Sequence, residues 1–186
     1  MGTDPVASTF SAGEKVGVAA KLNLLVATVN FANNPPQCYA YQTATQTLTS
    51  SVWGLVPLAG ELFDVVQSGD SPMHDITTNN SRIYFRTAGK YEVTGQGYFV
   101  ANATGTRLAQ IRLNSGGSDT GGTQVNVSQQ SAGGGAAIAV PMPSPVISVS
   151  AGDYVEMFLF QNSGSNLATS TPGQAVNFMR VRFVGA

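Results

Sequence analysis

The chain has 186 residues, of which 42% are hydrophobic and only 10% are charged, and its formal net charge is −1. A hydrophobic fraction of this size can fill the core of one substantial domain, so disorder of the whole chain is excluded. The near-zero charge gives no basis for the electrostatic attraction to phosphates on which nucleic-acid binding depends. We therefore expect a folded protein that does not bind nucleic acid.

The first 34 residues differ in pattern from the rest. Residues 1 to 17 contain Asp4-Pro5 and several glycines without a sustained period, which is typical of an extended arm. Apolar residues then recur at steps of four, three and four, the spacing of an amphipathic helix or a short coiled-coil seam. The prolines of Asn33-Asn34-Pro35-Pro36 cannot continue a helix and stop it there. The predicted helix seam is Val18, Leu22, Leu25 and Val29.

A helix this short is marginal in water by itself, so its apolar stripe must be buried against something. Two alternatives stay open: the helix packs on its own domain, or three copies form a bundle around a symmetry axis. We place a boundary at Pro35-Pro36. Residues 1–36 are then an arm and helix for attachment and a trimer stalk, and residues 37–186 form the main domain.

The main domain shows strand patterns throughout, separated by turns rich in glycine, asparagine and serine. About ten short strands with no helical pattern among them indicate an all-β fold, an antiparallel jelly-roll sandwich. The predicted strands are 37–42, 46–56, 61–66, 82–87, 90–101, 106–114, 123–129, 137–142, 146–149, 153–161 and 175–184.

Two of these strands predict close contacts. In strand 90–101, Gly95 and Gly97 lie between aromatic residues on one face, so either the facing sheet or another subunit approaches the backbone closely there. In strand 153–161 both faces are largely apolar, whereas a strand of a lone two-sheet sandwich has one polar face. A trimer interface would cover the second face. The predicted interface residues are Tyr154, Phe158, Phe160, Gly95 and Gly97.

Residues that could carry chemistry are few. The single Cys38 excludes a disulfide framework or a cysteine-cluster metal site, and we interpret it as a small buried residue at the start of a strand. The single histidine, His74, follows Pro72-Met73 in a loop, and one His-Asp neighbour pair predicts an ordinary polar turn because a metal needs several convergent ligands. The acidic residues show no paired-carboxylate constellation. We therefore predict no catalytic residues, no cofactor and no metal.

Strand arginines and tyrosines offer a weaker signal. Alternation places the arginines on the side of their strands away from the core, where they solvate the surface, pair across subunits or recognise anionic glycans. The first two roles fit their position among core-forming residues better than the third. The arginines are Arg82, Arg86, Arg112, Arg180 and Arg182.

No apolar run has the length of a membrane span, and the first residues lack a basic segment followed by a hydrophobic core. We expect no membrane insertion and synthesis in the cytosol.

Several segments carry a resemblance to known families. Thr87-Ala88-Gly89 before Lys90-Tyr91, the segment Ala151-Gly152-Asp153-Tyr154-Val155-Glu156 and the segment Asn177-Phe178-Met179-Arg180-Val181 resemble the trimeric jelly roll of complement globular heads and tumour necrosis factor. The pairing of that domain with Phe10-Ser11-Ala12-Gly13-Glu14 and Ala19-Ala20-Lys21-Leu22-Asn23 is similar to structural proteins of tailed phages that infect actinobacteria.

The resemblance implies a non-enzymatic virion structural protein, assembled in the host cytoplasm as a homotrimer. Residues 1–34 would dock on other virion proteins. The leading expectation is a minor tail or tail-tip protein that binds a host cell-surface glycan, and the nearest alternative is a capsid decoration protein or head fibre. From other classes, a cell-wall glycan hydrolase and a soluble lectin are the rival hypotheses.

Overall fold

The computed structural model describes residues 19–170 and 177–186, and within these residues the chain forms one α-helix and thirteen β-strands. The helix α1 is Ala19–Asn33. The strands are β1 (Gln37–Tyr41), β2 (Thr47–Leu48), β3 (Gly54–Leu55), β4 (Gly60–Val65), β5 (Arg82–Tyr84), β6 (Gly89–Phe99), β7 (Thr106–Leu113), β8 (Thr123–Ser131), β9 (Ile138–Pro141), β10 (Val146–Val149), β11 (Tyr154–Gln161), β12 (Leu167–Ala168) and β13 (Phe178–Gly185).

Helix α1 ends where the prolines predict. Its last backbone hydrogen bond runs from the N–H of Asn34 to the carbonyl oxygen of Asn30 at 2.9 Å, and Pro35 and Pro36 follow. The helix ends at Asn33, within the predicted stop, while the predicted seam residue Val18 lies outside the described residues. In the described part of the chain, no helix has the length and apolar character needed to cross a membrane.

The strands form two main antiparallel sheets. The six-stranded sheet has the order β10-β6-β13-β1-β4, with β9 pairing the second half of β6. The five-stranded sheet has the order β3-β11-β7-β8, with β5 also pairing β11, and β2 pairs β12 separately. The predicted all-β antiparallel sandwich is confirmed.

The core lies between the two main sheets. At Gly95 and Gly97 of β6, neighbouring parts of the chain pack directly against the backbone. A Cβ at Gly95 would lie 2.7 Å from the carbonyl oxygen of Phe178 and 2.8 Å from Cε of Met142. A Cβ at Gly97 would overlap Cδ2 of Leu159 on the five-stranded sheet. Of the two alternatives for these glycines, the structure supports close approach within one chain, since neighbouring chain segments already occupy the space that side chains would need.

Two strand predictions need correction. The segment predicted as one strand over 46–56 is split into β2 and β3, because Ser51 adopts a positive φ of 63° and turns the chain. Strand β12 was missed, since two residues are too few to show an alternating pattern. The predicted start of the last strand at residue 175 lies outside the described residues.

The helix packs on the sandwich only near its end. Phe31 is 6% exposed and its ring meets that of Phe183 edge-to-face, with the ring centres 4.9 Å apart. The preceding apolar residues of the helix remain open to solvent, with exposures from 40% to 52%; they are Leu22, Leu25, Val26 and Val29. Phe31 therefore belongs to the core of the main domain, although it precedes the boundary placed at Pro35-Pro36.

Candidate functional site

The outward face of β11 is covered by its own chain. The loop between β7 and β8 folds over this face, and the buried carboxylate of Glu156 accepts hydrogen bonds from the hydroxyl of Ser115 and the backbone N–H of Gly117, the latter at 2.8 Å. From the other side, Nε of Arg82 donates to Glu156 at 2.9 Å and the hydroxyl of Ser81 at 3.2 Å. Four donors thus satisfy one buried carboxylate.

These contacts fix the charge of Glu156. Burial alone would raise the pKa of its carboxyl, but the hydrogen bonds from Ser115, Arg82 and Gly117 outweigh burial and lower the pKa below its ordinary value. The Glu156 group is therefore a structural ion that ties the loop and β5 to β11. It is not poised to exchange protons near neutral pH.

The aromatic side chains of β11 also find partners within the chain. Phe158 is only 1% exposed. The ring of Phe160 lies 5.2 Å from that of Trp53, and the guanidinium of Arg82 lies 4.3 Å above the ring of Tyr154. The second apolar face that suggested a trimer interface is thus largely covered in a single protomer. Phe158, like Gly95 and Gly97, is not a surface residue, and this corrects its placement at an interface.

A different surface carries a larger group of partly exposed aromatic rings. We call it the aromatic face: it lies on the outward side of the six-stranded sheet, opposite the buried residues of the same strands. Tyr39 stacks on Phe178 with ring centres 4.8 Å apart and lies 5.9 Å from Phe63. Every member is partly exposed; the residues are Tyr39, Tyr41, Phe63, Tyr98 and Phe178. No site was predicted at these residues from the sequence.

A second cluster, the edge cluster, lies at strand β4, which is the last strand at one edge of the six-stranded sheet, and runs from the buried Cys38 to the exposed Glu61. The register between β1 and β4 places Cys38 opposite Asp64 and Ala40 opposite Glu61, with a shift between Tyr39 and Ala40. This bulge brings two carboxylates three residues apart onto the same side, where alternation would separate them. The sulfur of Cys38 and carboxylate oxygens of Glu61 and Asp64 all lie within 4.8 Å of one another.

His74 completes the edge cluster. Its side chain is buried, its backbone N–H donates to Oδ2 of Asp64 at 3.1 Å, and its Nδ1 lies 3.4 Å from Oε2 of Glu61. Its Nε2 lies 3.2 Å from the carbonyl oxygen of Asn80. The edge cluster comprises Cys38, Glu61, Asp64 and His74.

The prediction that His74 lies in an ordinary polar turn missed this convergence. Cys38 and His74 are 36 positions apart, and only the β4 bulge and the following loop bring them to one place. No short sequence motif signals such an arrangement.

The edge cluster disfavours nucleophilic chemistry at the thiol. Burial raises the pKa of Cys38, and the neighbouring carboxylates of Asp64 and Glu61 raise it further. Burial also raises the pKa of Asp64. Because the thiolate is the reactive form, Cys38 is inert without a cation beside it. An open cleft of about 590 Å³ adjoins the cluster, and Arg86 lies at this cleft with its Nε donating to the carbonyl oxygen of Pro72 at 2.7 Å.

Three of the predicted surface arginines make contacts within the chain. Arg82 pairs with Glu156, and Arg86 binds the Pro72 carbonyl. Arg112 donates to the carbonyl oxygens of the loop after β7, including that of Gly121. These contacts give the three arginines a structural role in holding loops.

Comparisons with known proteins show the fold. No protein-family model matches the chain, and no curated protein matches it either. Among solved structures, the globular domain of zebrafish complement 1qA protein is 12% identical with a TM-score of 0.52, covering 80% of this chain and 97% of that one.

Two further solved structures are similar to this chain. Eiger TNF from S. frugiperda is 10% identical with a TM-score of 0.56, covering 81% of this chain and 95% of its own. Murine APRIL at pH 5.0 is 10% identical with a TM-score of 0.56, covering 80% of this chain and 98% of its own. At such identities the likeness shows the fold alone, and the chain has a jelly roll of the complement C1q and TNF type.

Proposed function

We propose that this chain is a non-enzymatic structural protein of a tailed-phage virion, in which three jelly rolls assemble as a homotrimer and residues 1–34 attach it to other virion proteins. The observation that carries the proposal is apolar surface left uncovered by a single chain in two separate places. One is the aromatic face of the sheet, and the other is the exposed stripe of helix α1.

The aromatic face supports self-association. Aromatic residues are enriched at protein interfaces, and here five of them lie on the outward side of one sheet, where an antiparallel sandwich usually presents polar residues to water. Arg180 lies on the same face next to Phe178 and supplies a further side chain of the interface type. A second copy of this chain is the occupant that we propose, in a closed three-fold arrangement like that expected from the family resemblance.

The helix supports attachment. Leu22, Leu25 and Val29 lie on one stripe and are largely exposed, although Phe31 anchors the end of the helix to the sandwich. A stripe of this kind is buried in a three-helix stalk or against a docking protein. Together with the sequence resemblance, this favours a minor tail or tail-tip protein that binds a host-surface glycan. A capsid decoration protein or head fibre is built from the same parts.

A glycan hydrolase is the competing function, and one observation favours it: carboxylate oxygens of Glu61 and Asp64 lie within 4.8 Å at the edge of a cleft. Paired carboxylates at short separation are what glycosidases use. The test is whether the wild-type protein releases soluble sugars from purified peptidoglycan or arabinogalactan. Release that is abolished in Glu61→Gln would establish a glycan hydrolase in place of a non-enzymatic structural protein.

The interface test compares two aspartate substitutions in sedimentation experiments. We expect Phe178→Asp to give a folded, soluble monomer, because it places a charge on a partly exposed face that assembly would bury completely. We expect Phe158→Asp to abolish folding, since that side chain is buried in the protomer. A wild-type protein that sediments as a monomer at micromolar concentration, or a Phe178→Asp trimer, would contradict the proposed interface. Imaging of labelled protein on virions separates tail from capsid.

A further inference from the structure

The edge cluster brings together four side chains of the kinds that bind transition metals. They come from three segments: Cys38 from β1, Glu61 and Asp64 from β4, and His74 from the loop after it. The sulfur of Cys38 and carboxylate oxygens of Glu61 and Asp64 lie within 4.8 Å of one another, and Nδ1 of His74 lies 3.4 Å from Oε2 of Glu61. A structural zinc ion takes these ligand types, usually four of them in a tetrahedron.

The hydrogen bonding of His74 makes the cluster more than a group of neighbours. The carbonyl oxygen of Asn80 can only accept a hydrogen bond, so Nε2 of His74, 3.2 Å away, must carry a proton. In the neutral imidazole Nδ1 then holds a lone pair, and it faces Oε2 of Glu61 at 3.4 Å. A lone pair facing a carboxylate oxygen is repulsive unless Nδ1 carries a proton or binds a metal ion. Anchoring of the far ring nitrogen on a backbone carbonyl is how proteins orient a metal-binding histidine.

Two buried polar atoms of the edge cluster lack hydrogen-bond partners. Nδ1 of His74 and Oδ1 of Asp64 are both buried and have no hydrogen-bond partner. The other oxygen of Asp64, Oδ2, accepts a hydrogen bond from the backbone N–H of His74 at 3.1 Å. Oδ1 of Asp64 is left without a hydrogen-bond donor. Leaving such atoms unsatisfied costs free energy, and a cation would remove that cost.

We propose that Cys38, Glu61, Asp64 and His74 form a structural binding site for one divalent transition-metal ion of the zinc type. The thiol and imidazole select against calcium and magnesium, which prefer ligand sets made of oxygen. Bonds of about 2.0–2.3 Å in a tetrahedron place ligand atoms roughly 3.3–3.8 Å apart. The ligand atoms of Cys38, Glu61 and Asp64, now within 4.8 Å of one another, would reach that spacing by moving together by up to about 1.5 Å.

The bound ion would cross-link two segments of the chain. It joins the edge strand β4 to the loop that carries His74, and so fixes the part of the chain between β4 and β5. With protein ligands in all four positions, no position would remain for a reacting water, so the ion is structural rather than catalytic.

The test uses the full-length chain without an affinity tag, because the chain has one cysteine and one histidine and both belong to the proposed site. Metal-free protein is titrated with Co²⁺ and followed by optical spectroscopy. We expect one Co²⁺ per chain, a thiolate-to-cobalt charge-transfer absorption in the near ultraviolet, and displacement by Zn²⁺. The Tm should rise on adding Zn²⁺ and fall back with a chelator.

Two substitutions and one matched control complete the test. Cys38→Ser should remove the charge-transfer absorption, and His74→Gln should weaken Co²⁺ binding more than about tenfold. Asp75→Asn should change neither, because the Asp75 carboxylate is already occupied by the backbone N–H groups of Thr77 and Thr78.

Wild-type protein that binds less than one Co²⁺ per chain, or binds it without a thiolate absorption, would overturn the proposal. Equal binding by His74→Gln and wild type would overturn it too. If either variant fails to fold by circular dichroism, the wild-type cobalt spectrum decides the question.

Discussion

At the scale of single residues, Glu156 is the group on which several parts of the five-stranded sheet depend. It is fully buried, yet it is charged because four donors from β5, the residue before it and the loop after β7 surround it. A buried ion with complete partners is costly to disturb, since removal of one side leaves the others without a partner. The sequence pattern placed Glu156 on a largely apolar face of β11 and did not predict these donors. Three of them, Ser81, Arg82 and Ser115, are more than 40 positions away in the sequence.

We predict that Glu156→Gln lowers the free energy of unfolding by about 2 kcal/mol, because the donors of Ser115, Gly117 and Arg82 lose their ionic acceptor. Urea unfolding at neutral pH measures the loss. Asp119→Asn is the control. Asp119 lies in the same loop after β7, but it accepts the hydrogen bond from Gln110 with its backbone carbonyl oxygen, which the substitution leaves in place. An equal loss in both variants would contradict the role assigned to Glu156.

The same substitution has a pH signature. The pKa of Glu156 in the folded protein lies below its ordinary value of 4.5. A carboxyl with a lowered folded pKa stabilises the fold above its unfolded pKa, and that contribution is lost as the pH falls through the folded pKa. The difference in stability between wild type and Glu156→Gln should therefore be constant above about pH 5 and shrink at lower pH.

At the scale of elements, helix α1 has two parts with different partners. Its last turn packs on the sandwich through Phe31, and the preceding stripe is open. We predict that Phe31→Ala lowers the free energy of unfolding by about 3 kcal/mol, the usual cost of removing a buried aromatic ring. Val26→Ala, at an exposed position outside the predicted seam, should change it by less than about 0.5 kcal/mol. Thermal and urea unfolding measure both, and a small effect at Phe31 would show that the helix is not part of the core.

The elements were predictable to the extent that they carry a long periodic pattern. Strand β6 and strand β11 alternate over many residues, and the double proline after Asn34 marks the helix end, so these features were recovered. Strand β12 and the break at Ser51 were not, because they depend on pairing with residues more than 100 positions away. For the same reason the edge cluster escaped notice. A one-residue bulge in β4 decides on which side Glu61 lies, and such a bulge leaves no clear mark in the sequence.

At the scale of the whole molecule, folding and attachment should be separable. We predict that a protein lacking residues 1–34 folds as a jelly roll but is absent from virions, because the strands carry their own core and the deleted segment carries the exposed stripe. The Tm of this truncated protein should be below that of the wild type, because Phe31 is lost. A shorter deletion, of residues 1–27, keeps Phe31 and should restore the Tm without restoring incorporation into virions. Circular dichroism and the protein content of virions purified from a complemented deletion phage provide the two measurements.

Truncated protein at wild-type abundance in virions would contradict this prediction and make the jelly roll itself the attachment surface. Failure of the 1–27 deletion to fold would show that more of the helix than Phe31 supports the core.

The position of β13 has a consequence for synthesis of the chain. This strand, which follows the other described strands in the chain, lies in the middle of the six-stranded sheet and pairs with β6 on one side and with β1 on the other. Until it leaves the ribosome, β1 and β6 lack the strand that joins them, and each presents an open edge able to pair with another chain. The sheet can close only after β13 has been synthesised, through contacts between residues far apart in the sequence, such as Gln37 and Arg182. Such distant pairing is slow. Nascent copies on one message therefore pass through a period in which pairing with each other competes with folding, and expression at lower temperature or with chaperones should increase the soluble yield.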